Sequence, residues 1–293
     1  MPDGLSVIIG TYNQASVLEK VLPAYRMQTL TAPYELVIID STSSDATQTL
    51  IAQYDDLPIQ YHKIKNKGKA HARNTGAKQA TYNTLVITDA DMIPDAGFLD
   101  AHYKAHCTAP QCYEGAAYNL QSTAWPMNTR GMSCQVSPRR MSKKLGWYYF
   151  LTGNLSLPTA LFQAYQFSED FTGYGWEDLE LGYRLHQDNY PLYFLPTAIN
   201  YHFHVVDKMT ALDRDYQKGC GARIFLDKHP ELKWFLGLHP LGRWVSQVPQ
   251  SGKLYQTAYA WATQSRIPWC RRLGEYAVTE WHYLQGVYGT PVL

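Results

Sequence analysis

The feature that most limits the fold is a regular alternation of strand-like and helix-like segments over the first hundred residues. Short apolar runs occur at residues 5–10, 34–40, 59–64 and 84–89. Between them, apolar or small residues recur at helical spacing at 16–28, 46–55 and 68–80. This alternation predicts an α/β fold, with a mostly parallel, Rossmann-like sheet flanked by helices.

Polar residues follow each of the four strand-like runs. In open parallel sheets, ligands bind beyond the carboxyl ends of the strands, so these residues are the first candidates for a binding site. In strand order they are Thr11, Tyr12 and Asn13; Asp40; Asn66, Lys67, Gly68 and Arg73; and Asp89 and Asp91.

The last of these groups, Asp89 and Asp91, lies at the end of an apolar run in the stretch "LVITDADMIP". Two carboxylates separated by one residue can reach the same divalent cation if the backbone turns between them. Oxygen ligands of this kind suit magnesium or manganese, which in turn bind diphosphate oxygens. A helix cap or a solvated turn is the alternative. The basic stretch 65–73 offers cations and backbone to a phosphate, or else forms a solvated helix face.

A second acidic pair, Glu177 and Asp178, opens a segment with helical spacing. Leu181 and Leu185 mark the buried stripe of the predicted helix. The positive end of the helix dipole favours an ionised carboxylate in the first turn, and an ionised carboxylate can accept a proton. A capped helix after a turn is the alternative interpretation of the two acids.

Two further pairs of side chains flank this helix. Tyr174 and Trp176 alternate with glycines and offer flat faces on which a sugar could stack. His202 and His204 lie on the same side of an extended segment. A histidine is more often structural, and one of these two becomes interesting as a third ligand for the Asp89–Asp91 metal.

Together these motifs resemble the inverting family 2 glycosyltransferases, whose fold is called GT-A. The resemblance spans about residues 4–205. Four stretches are similar to family motifs. The family's first strand and loop resemble "SVIIGTYNQ", and its acidic loop resembles "VIIDSTSSDAT". Its N-x-G-x-x-x-A-R-N-x-G stretch resembles "NKGKAHARNTGA", and its metal motif resembles "DADM". Residues 171–202 resemble the galactosyltransferase-type region of bacterial chondroitin-type polymerases and of galactosyl- or N-acetylgalactosaminyltransferases.

The resemblance implies metal-dependent, inverting transfer of a hexose or N-acetylhexosamine from a UDP-sugar to a hydroxyl of a glycan or a lipid-linked glycan. It implies Mn²⁺ or Mg²⁺ as the cofactor. It also implies a role in polysaccharide biosynthesis. The implied catalytic residues are Asp178, as the base, and Glu177, which also binds the acceptor with Tyr174 and Trp176.

The resemblance also implies the other ligand sets. The metal ligands are Asp89, Asp91 and His202, with His204 as the less favoured alternative. The implied donor-binding residues are Thr11, Tyr12, Asn13, Asp40, Asn66, Lys67, Gly68, Arg73 and Asp89. In the family, two adjacent acids are common in the acidic loop, whereas here Ser41 follows Asp40. This difference leaves the choice of uridine over another nucleobase undecided.

The expected organisation is a GT-A catalytic domain at residues 1–209 and a helical C-terminal extension at 210–293. The catalytic domain would divide into a nucleotide-sugar half at 1–104 and an acceptor half at 105–209, with a loop-like basic stretch at 125–144. Helices packed on the catalytic domain, a homodimer contact and a peripheral membrane contact are all open for the extension.

Composition excludes several classes. A formal net charge of +1 and 17% charged residues carry no electrostatic footprint for nucleic acid. Five cysteines show no zinc-ligand spacing, and no apolar run reaches the roughly 18 to 20 residues that a membrane span needs. We therefore expect a cytoplasmic protein. A peripheral position at the inner face of the membrane is the alternative.

Two other functions compete with glycosyl transfer. A sugar-1-phosphate nucleotidyltransferase would carry a glycine-rich basic loop after the first strand, where this chain has "GTYNQ". A non-catalytic carbohydrate-binding protein of the same fold would not be expected to retain "DAD", "WED" and a downstream histidine together.

Overall fold

The computed structural model describes residues 1–120, 144–203, 208–238, 240–249 and 253–289. The chain divides into two compact units. The N-terminal unit comprises Met1–Glu169 and Glu177–Val205, and the C-terminal unit comprises Asp170–Trp176 and Val206–Leu293. Chain order alone does not indicate that residues 170–176 belong with the C-terminal unit. The functional domains at 1–209 and 210–293 stay predictions.

The N-terminal unit is built on a central sheet. Its strands are β1 (Leu5–Thr11), β2 (Tyr34–Asp40), β3 (Ile59–Lys63), β4 (Thr84–Asp89), β5 (Met92–Pro94), β6 (Cys112–Leu120), β7 (Lys144–Leu145), β8 (Leu155–Pro158) and β9 (Leu192–Phe203). Its helices are α1 (Ala15–Arg26), α2 (Thr47–Ile51), α3 (Lys69–Gln79), α4 (Phe98–Thr108), α5 (Thr159–Tyr165) and α6 (Glu177–Gln187), with a 3-10 turn at Trp147–Tyr149.

The strand order is β3-β2-β1-β4-β8-β6-β9-β5, and β7 pairs with β9. Strands β1 to β4 pair in parallel, as the alternation predicts. Beyond β4 the sheet is mixed, because β8 runs antiparallel to both β4 and β6 and β5 runs antiparallel to β9. The predicted α/β fold with helices around a central sheet is confirmed, and its parallel part is the part with regular strand–helix alternation.

Alternate residues of the central strands face two separate cores. Val7 and Ile9 of β1 join the cluster that contains Leu18 of α1, whereas Ile8 joins the cluster on the opposite face with α3. At Gly76 of α3, a Cβ atom would stand 2.6 Å from Cγ2 of Ile8. Only a glycine lets α3 lie this close to β1, and this close packing positions the side chains at the start of α3.

A buried polar network links α4 to β8. His102 contacts the Ser156 hydroxyl through Nδ1 at 2.8 Å and the Asn154 side-chain oxygen through Nε2 at 3.0 Å, and Nε2 of His106 lies 2.9 Å from the same hydroxyl. Burial lowers the pKa of His102 to about 4 and that of His106 to about 3, so both rings are neutral. Asn154 belongs to this network and is itself fully buried in the core.

The C-terminal unit is helical in the residues described. Its helices are α7 (Lys208–Lys228), α8 (Pro240–Val245), α9 (Lys253–Gln264) and α10 (Pro268–Tyr288), with a 3-10 turn at Pro230–Leu232. Helices α7 and α10 approach closely at Gly219, where a Cβ atom would stand 2.0 Å from the Tyr283 carbonyl oxygen. Among the described residues, no helix combines the length and apolarity that crossing a bilayer requires.

Candidate active site

The loops after β1 and β2 hold each other through polar contacts. The Ser41 N–H donates to the Thr11 carbonyl at 2.9 Å, and the Asn13 N–H donates to the Ser43 hydroxyl at 2.8 Å. The Asn13 side-chain oxygen accepts from the Ser44 N–H at 2.8 Å, and Asn13 itself adopts a left-handed φ of 51°. The first two predicted donor-binding segments therefore form one joined surface at the carboxyl ends of neighbouring strands.

Asp40 lies beneath this surface, fully buried. Its Oδ1 accepts from the Ser43 N–H at 2.7 Å, and its Oδ2 accepts from the Tyr61 hydroxyl at 2.5 Å. These bonds hold the loop that carries Ser43, and direct contact of Asp40 with a nucleobase stays a prediction. Tyr12, by contrast, is exposed.

The basic stretch leads into α3 through a tight turn. The Asn66 side-chain oxygen accepts from the Gly68 N–H at 3.1 Å, and Gly68 adopts a φ of 94°, which favours glycine. Lys67 is exposed beside it. The role of these three residues in phosphate binding stays a prediction.

Arg73 of α3 joins the two acidic motifs of the chain. Its Nη2 donates to Oδ1 of Asp89 at 2.7 Å, and its Nη1 donates to Oε1 of Glu177 at 2.9 Å. The Arg73 side chain is only 3% exposed, and its guanidinium lies 5.5 Å from the centre of the Phe167 ring. The end of β4 and the start of α6 are therefore held together by one buried cation.

The charges around Asp89 keep it ionised. Burial works against the ionised form, but Lys69 and Arg73 outweigh it, so the pKa of Asp89 lies well below its usual range. Lys69 Nζ lies 4.0 Å from Oδ2 of Asp89. Asp89 is thus available as an anion at any pH at which the protein would act.

Asp91 and His202 come together across the β5–β9 pair. Nε2 of His202 lies 3.4 Å from Oδ2 of Asp91, and the Phe203 N–H donates to the Asp91 carbonyl at 2.8 Å. On its other side, Nδ1 of His202 lies 3.1 Å from Oδ1 of Asn119. An amide oxygen only accepts, so this contact places the Nδ1 proton of His202 toward Asn119.

The donor atoms at this edge fit a divalent cation in their chemistry. Carboxylate oxygens and a neutral imidazole nitrogen suit manganese, and carboxylates alone suit magnesium. Within the described ranges, however, no three acidic, histidine or cysteine side chains are grouped so that they could hold one metal ion. Two of the three predicted ligands, Asp91 and His202, are brought together, while Asp89 bonds to Arg73. His204 lies outside the described residues.

Glu177 and Asp178 open α6 as predicted, and Leu181 and Leu185 are buried on its inner face. Burial and the neighbouring Glu177 raise the pKa of Asp178 to about 7, although Arg73 and the Leu179 N–H act in the opposite direction. The Leu179 N–H donates to Oδ1 of Asp178 at 2.8 Å. Asp178 can therefore take up and release a proton near neutral pH.

Glu177 is almost completely buried, and only one of its oxygens is bonded to Arg73. Its other oxygen, Oε2, is buried without a hydrogen-bond partner in the part of the chain that the structure describes. Such an oxygen costs free energy unless a donor satisfies it. Glu177 can therefore accept a hydrogen bond from a hydroxyl beside Asp178.

Tyr174 and Trp176 belong to the C-terminal unit. The Trp176 indole N–H donates to the Lys218 carbonyl at 2.8 Å, and its ring packs edge-on against Phe225 at 5.9 Å. The Arg214 guanidinium lies 4.9 Å from the centre of the Tyr174 ring. Trp176 also adopts a left-handed φ of 76°, which is rare for a bulky residue. The acceptor-binding role of both aromatics stays a prediction.

Sequence reasoning missed two arrangements in this site. The sequence predicts Arg73 only as a cation that binds phosphate. No local pattern indicates that it pairs with Glu177, which lies 104 positions later. Asn119, which orients His202, carries no local signal at all. The loop-like stretch at 125–144 lies outside the described residues except for Lys144.

The comparison with known families decides the identity. The model for glycosyl transferase family 2 matches residues 6–168, which is more than half of the chain. The chain belongs to glycosyl transferase family 2. This membership confirms the predicted transferase class and favours it over the two competing functions.

Relatives with sequence similarity support the same assignment. Validoxylamine A glucosyltransferase of Streptomyces hygroscopicus subsp. jinggangensis is 32% identical over 221 residues, which cover 64% of this chain and 52% of the relative. Chondroitin synthase of Escherichia coli is 25% identical over 273 residues, which cover 78% of this chain and 39% of the relative. The family 2 chain thus spans about half the length of these relatives, or less.

Solved structures show the same fold. S. aureus TarS 1-349 in complex with UDP has a TM-score of 0.58 at 16% identity, over 97% of this chain and 90% of that one. The mannosyltransferase PcManGT from Pyrobaculum calidifontis, in complex with GDP-Man and Mn²⁺, has a TM-score of 0.57 at 19% identity, over 95% and 86%. At these identities the likeness establishes the GT-A fold of the family 2 chain.

Proposed function

We propose that the chain transfers a hexose or N-acetylhexosamine from a UDP-sugar to a hydroxyl of a glycan or glycolipid, with inversion at the anomeric carbon. The observation that carries this proposal is the ion-pair chain Asp89–Arg73–Glu177, with Asp178 beside it. It joins the acidic end of a nucleotide-binding half to an acid pair in which the pKa of Asp178 is raised to about 7.

The donor would lie along the carboxyl ends of β1, β2 and β4. The joined loops that carry Thr11, Tyr12 and Asn13 offer hydroxyl, aromatic and amide groups, and the turn before α3 offers Lys67 and backbone N–H groups. Uridine is favoured because TarS is described with UDP and UDP-GlcNAc on this fold. PcManGT is described with GDP-Man, so the nucleobase needs a direct test.

Asp178 would act as the general base. Its ionised carboxylate takes the proton of the acceptor hydroxyl as that oxygen forms a bond to the anomeric carbon. The bond from this carbon to the diphosphate oxygen breaks, and its electron pair leaves with the nucleoside diphosphate. Attack opposite to the leaving group inverts the configuration. A base whose pKa is about 7 suits this role at neutral pH, where such catalysis typically contributes about 10² to 10⁴-fold.

Glu177 and Arg73 would position the reacting groups. The unsatisfied Oε2 of Glu177 can accept a hydrogen bond from a second hydroxyl of the acceptor sugar. Arg73 fixes Glu177 and Asp89 relative to each other through its two-pronged guanidinium. Mn²⁺ or Mg²⁺ would be held by Asp91 and His202, which lie together, and by Asp89, whose carboxylate would move toward them on binding. When bound, such an ion neutralises negative charge on the departing diphosphate.

A donor screen tests this function. We would incubate the protein with UDP- and GDP-sugars and simple sugar acceptors, in manganese or in EDTA, and measure the nucleoside diphosphate that is released. We expect release from a UDP-sugar in manganese and its loss in EDTA. Asp178→Asn should bind the donor normally and lose transfer, while Asp55→Asn, an exposed acid of the same unit, should keep both.

Three outcomes would contradict the proposal. Near-normal turnover of Asp178→Asn would remove Asp178 from the base role. Product with retained anomeric configuration, read from the anomeric coupling constant by NMR, would exclude the single displacement. Release of pyrophosphate from a nucleoside triphosphate and a sugar phosphate would instead identify a nucleotidyltransferase.

A further inference from the structure

Thr42, in the loop that follows β2, has a backbone conformation that threonine rarely adopts. Its φ is 65°, in the left-handed region. A β-branched side chain is strained there, whereas glycine reaches the same φ without a steric cost. Such a conformation persists only where the surrounding structure holds it, and strain of this kind is concentrated at sites that bind ligands. The contacts that hold Thr42 therefore indicate what its strain serves.

The side chain of Thr42 ties this loop to the end of β3. Its hydroxyl donates to the Ile64 carbonyl at 2.5 Å, and the Ile64 N–H donates to the Asp40 carbonyl at 2.8 Å. Lys63 Nζ donates to the Ser43 carbonyl at 3.3 Å and adds a second link between the same segments. A glycine at position 42 would relieve the strain but would not make the hydroxyl bond. A threonine therefore fixes the loop where a glycine would leave it free to move.

The residues after Thr42 carry this restraint to the loop after β1. The Ser43 hydroxyl accepts from the Asn13 N–H, and the Ser44 N–H donates to the Asn13 side-chain oxygen, both at 2.8 Å. Asn13 is left-handed too, with a φ of 51°. Two left-handed residues thus lie in adjoining loops and are linked through the serines. Because Asn13 follows Tyr12 directly, the Thr42 bond also restrains the backbone that presents Tyr12.

These two loops lie at the edge of the sheet where ligands bind. They follow β1 and β2, which are parallel neighbours, and the carboxyl ends of such strands form the usual ligand-binding edge. Tyr12 is 51% exposed there and offers a flat face to a planar ring. Thr42 itself is exposed, so its strain is not needed to pack a core. The strain therefore serves to hold a surface ready for a ligand.

We propose that Thr42 is a positioning residue for the nucleoside of the donor, because its bond to Ile64 keeps both loops in the conformation that receives the base and the ribose. This inference rests on the proposed function, in which the donor is a nucleoside diphosphate sugar. Holding the loops in place before binding avoids the entropy cost of ordering them when the nucleotide arrives. Loss of the bond should weaken nucleotide binding and leave the chemical step, which occurs at the sugar, unaffected.

Calorimetry in manganese tests this inference, with whichever of UDP and GDP the wild type binds more tightly. Thr42→Val keeps the shape of the side chain and removes the hydroxyl, so its Kd should rise about tenfold, the effect of one hydrogen bond. Thr42→Ser keeps the hydroxyl and should bind like the wild type. Thr42→Gly removes the hydroxyl and the strain together, so it should fold and bind as weakly as Thr42→Val. In transfer assays, the donor KM of Thr42→Val should rise while its kcat stays unchanged.

Thr29→Val is the matched control. Thr29 is also exposed, and its hydroxyl also donates to a backbone carbonyl, that of Ala96 at 3.2 Å. It lies in the connection before β2 rather than in the loop after this strand. Thr29→Val should therefore bind the nucleotide like the wild type. Each valine variant loses one exposed hydrogen bond, so the two should have similar unfolding temperatures in thermal melts.

Wild-type nucleotide affinity in Thr42→Val and Thr42→Gly would overturn the inference and leave the proposed function standing. A lower unfolding temperature of Thr42→Val with unchanged nucleotide affinity would also overturn it, since Thr42 would then serve stability alone. Equal losses of affinity in Thr42→Val and Thr29→Val, or a comparable loss in Thr42→Ser, would show that the Thr42 hydroxyl is not the cause. A wild-type chain that binds neither UDP nor GDP would overturn the proposed function, and this inference with it.

Discussion

Replacing Asp178 with asparagine should stabilise the fold while it abolishes transfer. In the folded chain, burial and the neighbouring Glu177 disfavour the ionised form of Asp178 and raise its pKa to about 7. In the unfolded chain the pKa of this carboxyl lies near its ordinary value of 3.8. Folding an ionised Asp178 at neutral pH therefore costs free energy, and asparagine, which is neutral and can still accept the Leu179 N–H, removes that cost.

The size of the effect follows from linkage. The rise in the pKa of Asp178 from 3.8 to about 7 corresponds to a free-energy cost of folding of at most about 4 kcal/mol above pH 7. Asp178 is not fully removed from solvent, so screening reduces this value, and we expect about 2 kcal/mol. For a unit of this size that equals a rise of roughly 4–8 °C in the unfolding temperature.

The sign depends on pH in a defined way. The folded state binds the proton more tightly than the unfolded state, so wild-type stability is complete below pH 4 and is lost as pH rises through about 7. The unfolding temperature of Asp178→Asn should therefore equal that of the wild type at pH 4 and exceed it above pH 7.

Circular dichroism melts in EDTA between pH 4 and pH 8.5 would measure this difference. Asp55→Asn removes the same charge at an exposed position, where burial imposes no cost, and should melt with the wild type throughout. A difference that does not change with pH, or a less stable Asp178→Asn at pH 8, would refute the electrostatic reasoning. Retained transfer activity would refute the catalytic part alone.

The remaining predictions concern the same site. Asp91→Ala should abolish manganese-dependent UDP binding in calorimetry, because it removes the acid that faces His202; unchanged affinity in manganese would contradict the metal assignment. Arg73→Lys should lower the free energy of unfolding by about 1–3 kcal/mol in urea titration, because one ammonium group cannot satisfy both buried acids. Equal unfolding midpoints for the wild type and Arg73→Lys would show that the Arg73–Asp89 ion pair does not contribute to stability. Finally, kcat/KM should rise as pH increases through about 7, where Asp178 loses its proton, and a flat profile from pH 6 to pH 8 would speak against this base.

Local sequence pattern predicted the first half of the sheet well. Strands were expected at 5–10, 34–40, 59–64 and 84–89, and the structure has them at Leu5–Thr11, Tyr34–Asp40, Ile59–Lys63 and Thr84–Asp89. This succeeds because the period of apolar residues reports which faces of an element are buried, and in βαβ units that information is local. The start of α6 at Glu177 was predictable for the same reason.

The second half of the sheet could not be read in this way. Strand β8 inserts antiparallel between β4 and β6, and β9 extends from Leu192 to Phe203, where the sequence predicts extended chain but not its pairing partners. Pairing of this kind depends on contacts between strands that are distant in the chain. Short apolar runs are compatible with more than one neighbour, so their pattern alone does not specify direction or order.

By itself, then, the sequence determined that Asp40 and Asp89 lie at the carboxyl edge of the sheet and that Glu177 and Asp178 open a helix. Only the tertiary structure decided what each acid does there. Asp40 is fully buried and bonded to its own loop, Asp91 meets a histidine from another strand, and Glu177 shares a buried guanidinium with Asp89. The physical reason is that hydrophobic periodicity is encoded over a few residues, whereas the pairing of buried charges depends on the low-dielectric space that the whole fold creates.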